Sequence, residues 1–237
     1  MKLNLYEIRK SAISALECLF PTQITENHIP KFRPIIAGYQ HEAEEKVFYR
    51  TFPIRAIIAF HEHDVPLMLP MAYYHAAQLS LEDIVNGVED GGVLWKLDAV
   101  DIIKVLKGRE ILKTSRRQVL FPWLDDKMVE GPDDGATCEK ELINGNYCWE
   151  NLMEMYSKFN KSGFLDDSTN GLQGFSEKAE RIFGYYVCER CRSDALRLLR
   201  AGERRNWESL PEYFGLEDWT TVKKLQENID KGWEGEY

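Results

Sequence analysis

Apolar residues recur at three- and four-residue steps along most of this chain, and prolines cut the rhythm into segments too long for strands. That spacing gathers side chains on one side of an α-helix, whereas a half-buried strand needs alternation. From Tyr6 to Phe20 the pattern predicts an amphipathic helix stopped by Pro21, its buried face made of Ile8, Ala12, Ala15, Leu16 and Leu19 and its inner side holding Cys18 as a small core residue. Between Pro21 and Thr51 the prolines at 30 and 34 and the acids Glu42, Glu44 and Glu45 show no period, so an irregular connection with at most short elements is expected.

The run IRAIIAF after Pro53 leads to His61, and Asp64 is expected to cap a new helix whose first turn takes Pro66, with Pro70 in a first turn or at a kink. Ser80 to Asp83 resembles a capping box, which predicts a short helix from Ser80 to about Gly87. Asp98 can cap a helix running to Phe121, with Val100, Ile103, Leu106, Leu112, Val119 and Leu120 buried. Its other face carries Lys104, Lys107, Lys113, Arg116 and Arg117, a solvated basic face or else an anion or acidic-partner site.

Further helices are expected over Tyr147 to Phe159, from Ser176 to Trp207 before Pro211, and over about Asp218 to Ile229, with Lys161 to Gly174 as the most linker-like stretch. The expected fold is all-α: an irregular multi-helix bundle with a long C-terminal helix, forming one helical domain over 1–237. Within it, 1–130 is a helical-hairpin half, 131–174 a loop-rich connection, and 175–237 a helix with a closing aromatic block.

With 237 residues the chain can bury a core without disulfides. A net charge of −9 and a pI near 5.2 disfavour a general binder of nucleic acid or anionic membrane, since phosphates select positive surfaces. No apolar run reaches membrane-spanning length and the start lacks a signal peptide's pattern, so no membrane role and a cytoplasmic or nuclear location are expected. In that setting the five cysteines read as thiols or metal ligands.

Cys188-Glu-Arg-Cys191 is the sharpest local signal for chemistry. Two thiolates three residues apart can share one tetrahedral zinc, and Cys138 and Cys148 are the only other thiols in this half of the chain. Nine residues separate Cys138 from Cys148 and 39 separate Cys148 from Cys188, which matches no standard finger. The alternative is ordinary helix packing, and a redox pair lacks its usual βαβ setting. His61, His63 and Asp64 would suit a hydrolytic metal only if they shared a strand face. Nucleophile elbows and phosphate-cradling glycine loops are missing from the sequence, and its paired acids lie in charge-rich loops. The aromatic block WESLPEYFGLEDW, with Trp207, Tyr213, Phe214 and Trp219 and with Trp233 beyond it, predicts a buried corner, a peptide groove being the alternative.

Taken together, VCERC at 187–191, RLLRAGERRNWESLPEYFGLEDW at 197–219, HDVPLMLPMAYYHAAQLSLEDIVNGV and LDAVDIIKVLKGREIL resemble the C-terminal helical region of BTB/POZ-domain proteins of mushroom-forming fungi. The resemblance covers roughly residues 3–20 and 50–222. It implies a cysteine pair ahead of the Cys-x-x-Cys, which Cys138 and Cys148 match, and a BTB domain that this chain lacks. The cullin-binding surface of such domains therefore transfers to no residue here.

The expected function is a non-enzymatic protein-protein interaction or adaptor module, with a protein partner and a structural zinc on Cys138, Cys148, Cys188 and Cys191. The alternatives are a metal-dependent hydrolase using His61, His63 and Asp64, or a nucleic-acid-binding module using the basic faces at 104–117 and 190–205.

Overall fold

The computed structural model describes residues 5–23, 43–120, 148–161, 183 and 187–235. In chain order the described elements are α1 (Leu5–Leu16), α2 (Ala43–Glu62), a 3-10 turn (Pro66–Met68), α3 (Leu69–Ala76), α4 (Leu81–Asn86), β1 (Val88–Asp90), β2 (Val93–Trp95), α5 (Ala99–Leu120), α6 (Cys148–Lys161), α7 (Glu189–Glu208), α8 (Leu210–Tyr213) and α9 (Trp219–Gly235). The fold is mostly helical, as the spacing predicts. Contacts divide the chain into two compact units, Met1–Ile111 with Glu208–Tyr237, and Leu112–Trp207. Cys138, the stretch 131–147, residues 162–174 of the expected linker and the expected helix start at Ser176 lie outside the described residues.

The first unit is built around α3, all eight residues of which are buried. A helix apolar on every side can only be central, and its two tyrosines, Tyr73 and Tyr74, are among the largest fully buried side chains. Pro70 sits in the first turn of α3, where its missing N–H costs nothing. The helix α2 packs along α3 with Ile54, Ile57 and Phe60 inward.

Four expectations need correction here, and those for Asp64 and for the inner face of α5 follow. The α1 face is rotated by about one residue: Tyr6, Arg9, Ile13 and Leu16 are half-buried and Phe20 is buried, while Ile8, Ala12 and Ala15 are exposed. That face carries bulkier side chains and an arginine with partners far along the chain, which the two alanines cannot match. Cys18 is exposed and donates to the Ala15 carbonyl at 3.1 Å, so it is no core residue. Residues 43–50 belong to α2, which runs through the interior Pro53 instead of starting at it. The fourth is a β-hairpin pairing Val88 with Trp95, Glu89 with Leu94 and Asp90 with Val93. Gly91 and Gly92, both at positive φ, form its two-residue turn, a conformation close to type I′ that glycine adopts without strain.

The expected caps at Ser80 and Asp98 form, but Val100 and Ile103, expected on the buried face of α5, are exposed, while Leu112 of that face is buried. The Ser80 hydroxyl accepts from the Asp83 N–H at 3.0 Å and α4 stops at Gly87, φ 82°. Asp98 caps α5 through the Asp101 N–H at 2.7 Å, and Asp218 caps α9 through the Thr221 N–H at 2.7 Å. Asp64 does not cap a following helix. At φ 52° it is the left-handed residue that ends α2, with Val65 N–H returning to the Phe60 carbonyl at 2.8 Å and His63 N–H to the Ala59 carbonyl at 2.9 Å.

The aromatic block closes this unit from its other end of the chain. Phe214, after α8, is fully buried and stacks on Tyr73 with centroids 5.6 Å apart. Gly108 of α5 permits that approach, because a Cβ there would run into the Phe214 ring. On α9, Trp233 lies 5.2 Å beneath the Arg9 guanidinium, which also reaches Asp230 at 3.3 Å. Within this unit the block buries Phe214 fully and leaves Tyr213, Trp219 and Trp233 half-buried.

In the second unit, α6 buries Cys148, Asn151 and Met155, spaced three and four residues apart. The part of α7 that lies here buries Ala195, Leu196, Leu199, Gly202, Glu203, Asn206 and Trp207, the same helical rhythm.

Candidate metal centre

Cys148 is the first residue of α6 and is buried. Cys188 immediately precedes α7, and its carbonyl accepts the first i to i+4 bond, from Arg192 N–H at 2.9 Å, so it occupies the N-cap position. Cys191 lies in the first turn above it. Two helix N-termini thus converge on one set of sulfurs.

The convergence is close. The Cys188 N–H donates to Cys148 Sγ at 3.2 Å across 40 residues of sequence, and the three Sγ atoms all lie within 4.8 Å of one another. Ligands about 2.3 Å from a tetrahedral zinc stand about 3.8 Å apart, so small side-chain rotations bring this trio to zinc geometry. Burial, reinforced by the Cys188 and Cys148 thiols, pushes the Cys191 thiol up from its ordinary range. Without a cation the Cys191 thiol therefore keeps its proton, which a metal would have to displace. The structure brings together three of the four expected ligands. Cys138 lies outside the described residues.

Among the described residues this trio is the one group of three or more His, Cys, Asp or Glu whose ligand atoms converge. His61, His63 and Asp64 do not form a ligand set. His61, in the last turn of α2, places Nε2 3.1 Å from the Tyr73 hydroxyl and 3.4 Å from Asp101 Oδ1. His63 and Asp64 lie in the turn that ends α2, where their carbonyls accept from Arg9 at 2.5 and 2.7 Å.

The Tyr73 cluster carried no sequence signal. Its hydroxyl donates to Asp101 at 2.5 Å and, with that proton committed, accepts toward Lys104 Nζ at 3.3 Å and His61. Burial first, then the Asp101 bond, pushes the phenol far above its ordinary range, which suits a neutral structural bridge. Lys104 is thereby taken out of the basic face, while Lys107 remains exposed and the side chains of Arg116 and Arg117 lie outside the described residues. Elsewhere in the same unit an apolar groove of about 430 Å³ follows α2, lined by Phe20, Phe48, Phe52, Phe60 and Trp95.

Among the described residues no helix is long and apolar enough to cross a membrane. Comparison with family models, with curated proteins and with solved structures gives no match to this chain.

Proposed function

We propose that this chain is a non-enzymatic protein-interaction module whose second unit is stapled by a structural zinc on Cys148, Cys188 and Cys191, with Cys138 as the fourth thiolate. The observation that carries the reading is the convergence of three sulfurs, from two helix starts 40 residues apart, to within 4.8 Å. A site closed by thiolates contributes folding free energy and leaves no open coordination position for a substrate. Contact area for a partner is available in the first unit, where Leu81, Val93, Leu94, Val100 and Ile103 are each at least half exposed. The resemblance to the region that follows BTB domains supports the partner being another protein, met in the cytoplasm or nucleus.

Metal content of protein purified without chelator tests the staple. About one zinc per chain, lost together with thermal stability in Cys188→Ser and Cys191→Ser, supports it. A wild type that carries no metal and melts like the variants overturns it. For the interaction, a partner held by the wild type and released by Leu94→Asp with Ile103→Asp supports the module, and turnover of a small substrate overturns it.

A nucleic-acid reading is favoured by one observation: Arg197, Arg200 and Arg204 are exposed at three- and four-residue steps on α7. It requires binding that falls steeply as salt rises, and binding insensitive to salt removes it.

A further inference from the structure

Cys188 and Cys191 are placed to react with each other. Both are half-exposed while Cys148 is buried, so an oxidant in solvent meets this pair first. Residues three apart at a helix start hold their Cβ atoms about 5–6 Å apart, and a disulfide needs about 3.5–4.5 Å. The adjustment is confined to one turn, between the cap residue Cys188 and Cys191 of the same helix start. Joining either cysteine to Cys148 would instead involve the buried thiol and bridge two helices.

We propose that Cys188 and Cys191 form a peroxide-sensitive dithiol whose oxidation to a disulfide removes two of the three clustered thiolates and frees any metal they hold. The proposal rests on the zinc reading for its consequence, and not for its chemistry. In the first step the Cys188 thiolate attacks hydrogen peroxide: an S–O bond forms, the O–O bond breaks, and a sulfenic acid and hydroxide result. The Cys191 sulfur then attacks that sulfur, forming the S–S bond while its own proton leaves with the expelled hydroxide as water. Two electrons pass from the two cysteines to peroxide, and one proton from solvent converts the first hydroxide to water. Cys148 then no longer shares a ligand set with Cys188 and Cys191, so any metal-mediated cross-link between α6 and α7 is lost and the staple becomes a switch.

The test uses the full chain carrying Cys18→Ser, which removes an exposed thiol outside the cluster. Metal per chain is measured before oxidation, then zinc release is followed with a chromogenic chelator during peroxide addition, and disulfides are mapped by mass spectrometry. The expected result is a Cys188–Cys191 disulfide forming in step with loss of the bound zinc, both reversed by dithiothreitol and zinc. A bridge to Cys148, oxidation to sulfinic acid without a disulfide, or zinc retained after the disulfide forms overturns the proposal. Metal content before oxidation reports on the staple alone, and mapping on metal-free protein reports on the dithiol alone, so the two readings fail separately. Cys191→Ser is expected to halt oxidation at a sulfenic acid on Cys188, trapped by dimedone. Because that variant can also lose metal, the wild-type map remains decisive.

Discussion

The amide of Cys188 donates to the sulfur of Cys148 at 3.2 Å, linking the start of α7 to the start of α6 across 40 residues. If one cation also joins these sulfurs, losing either ligand opens the same site. Cys148→Ser and Cys188→Ser should then each cost nearly as much as the pair, a coupling of about 0.5–3 kcal/mol in a double-mutant cycle. Excess chelator should shrink that coupling, and urea denaturation with and without chelator measures it. Additive losses that ignore chelator would show that the contact is packing alone.

Gly108→Ala tests how closely α5 and the Phe214 ring approach. Alanine gains up to about 1 kcal/mol over glycine inside a helix. Here the added methyl meets the ring, and overpacking of a tight core costs about 1–3 kcal/mol. The clash wins, so a net loss of about 1 kcal/mol is expected. In a Phe214→Leu background, which leaves room, the same change should be neutral or stabilising.

Asp64 closes α2 in the left-handed region at φ 52°. A residue with a Cβ carries about 1–2 kcal/mol there, and glycine escapes that at an entropic cost of about 0.5–1 kcal/mol. Asp64→Gly should therefore stabilise by about 0.5 kcal/mol, and Asp64→Ala, lacking the aspartate's local hydrogen bonding, should destabilise by a similar amount. Both variants keep the backbone carbonyl that accepts from Arg9. An alanine variant as stable as the glycine one would contradict the strained turn.

The features read correctly from the sequence are those with a local cause. Ser80 with Asp83, and Asp98, announce helix starts because a short side chain reaches a free N–H three residues on. The cysteine trio was legible because so few thiols were available to meet. The misreadings had non-local causes. Arg9 looks like a solvent-facing break in an apolar stripe until His63, Asp64, Asp230 and Trp233 are brought to it. Pro53 reads as a boundary, yet packing carries α2 straight through it. The Gly91-Gly92 hairpin did have a signal, two glycines between short β-capable runs, set within a chain whose rhythm is otherwise helical.

His75 is a buried titratable group that couples stability to acid. Burial holds its pKa down to about 4, against a small opposing contribution from the Leu19 carbonyl 3.2 Å from Nε2. Unfolded, the same ring titrates near the ordinary histidine value of about 6.5. The folded state therefore binds fewer protons than the unfolded one across that window. Stability is unaffected by His75 above about pH 6.5, falls as pH drops toward 4, and levels off below it. At about 1.36 kcal/mol per unit, the loss reaches roughly 3 kcal/mol. Because the ring also packs edge-on against Phe20 beyond the end of α1, its protonation should loosen that corner first. Denaturation midpoints between pH 7 and 4 should show this slope, and His75→Gln should lower stability at pH 7 while removing most of the slope below it. A slope that survives the substitution would assign the acid sensitivity to another group.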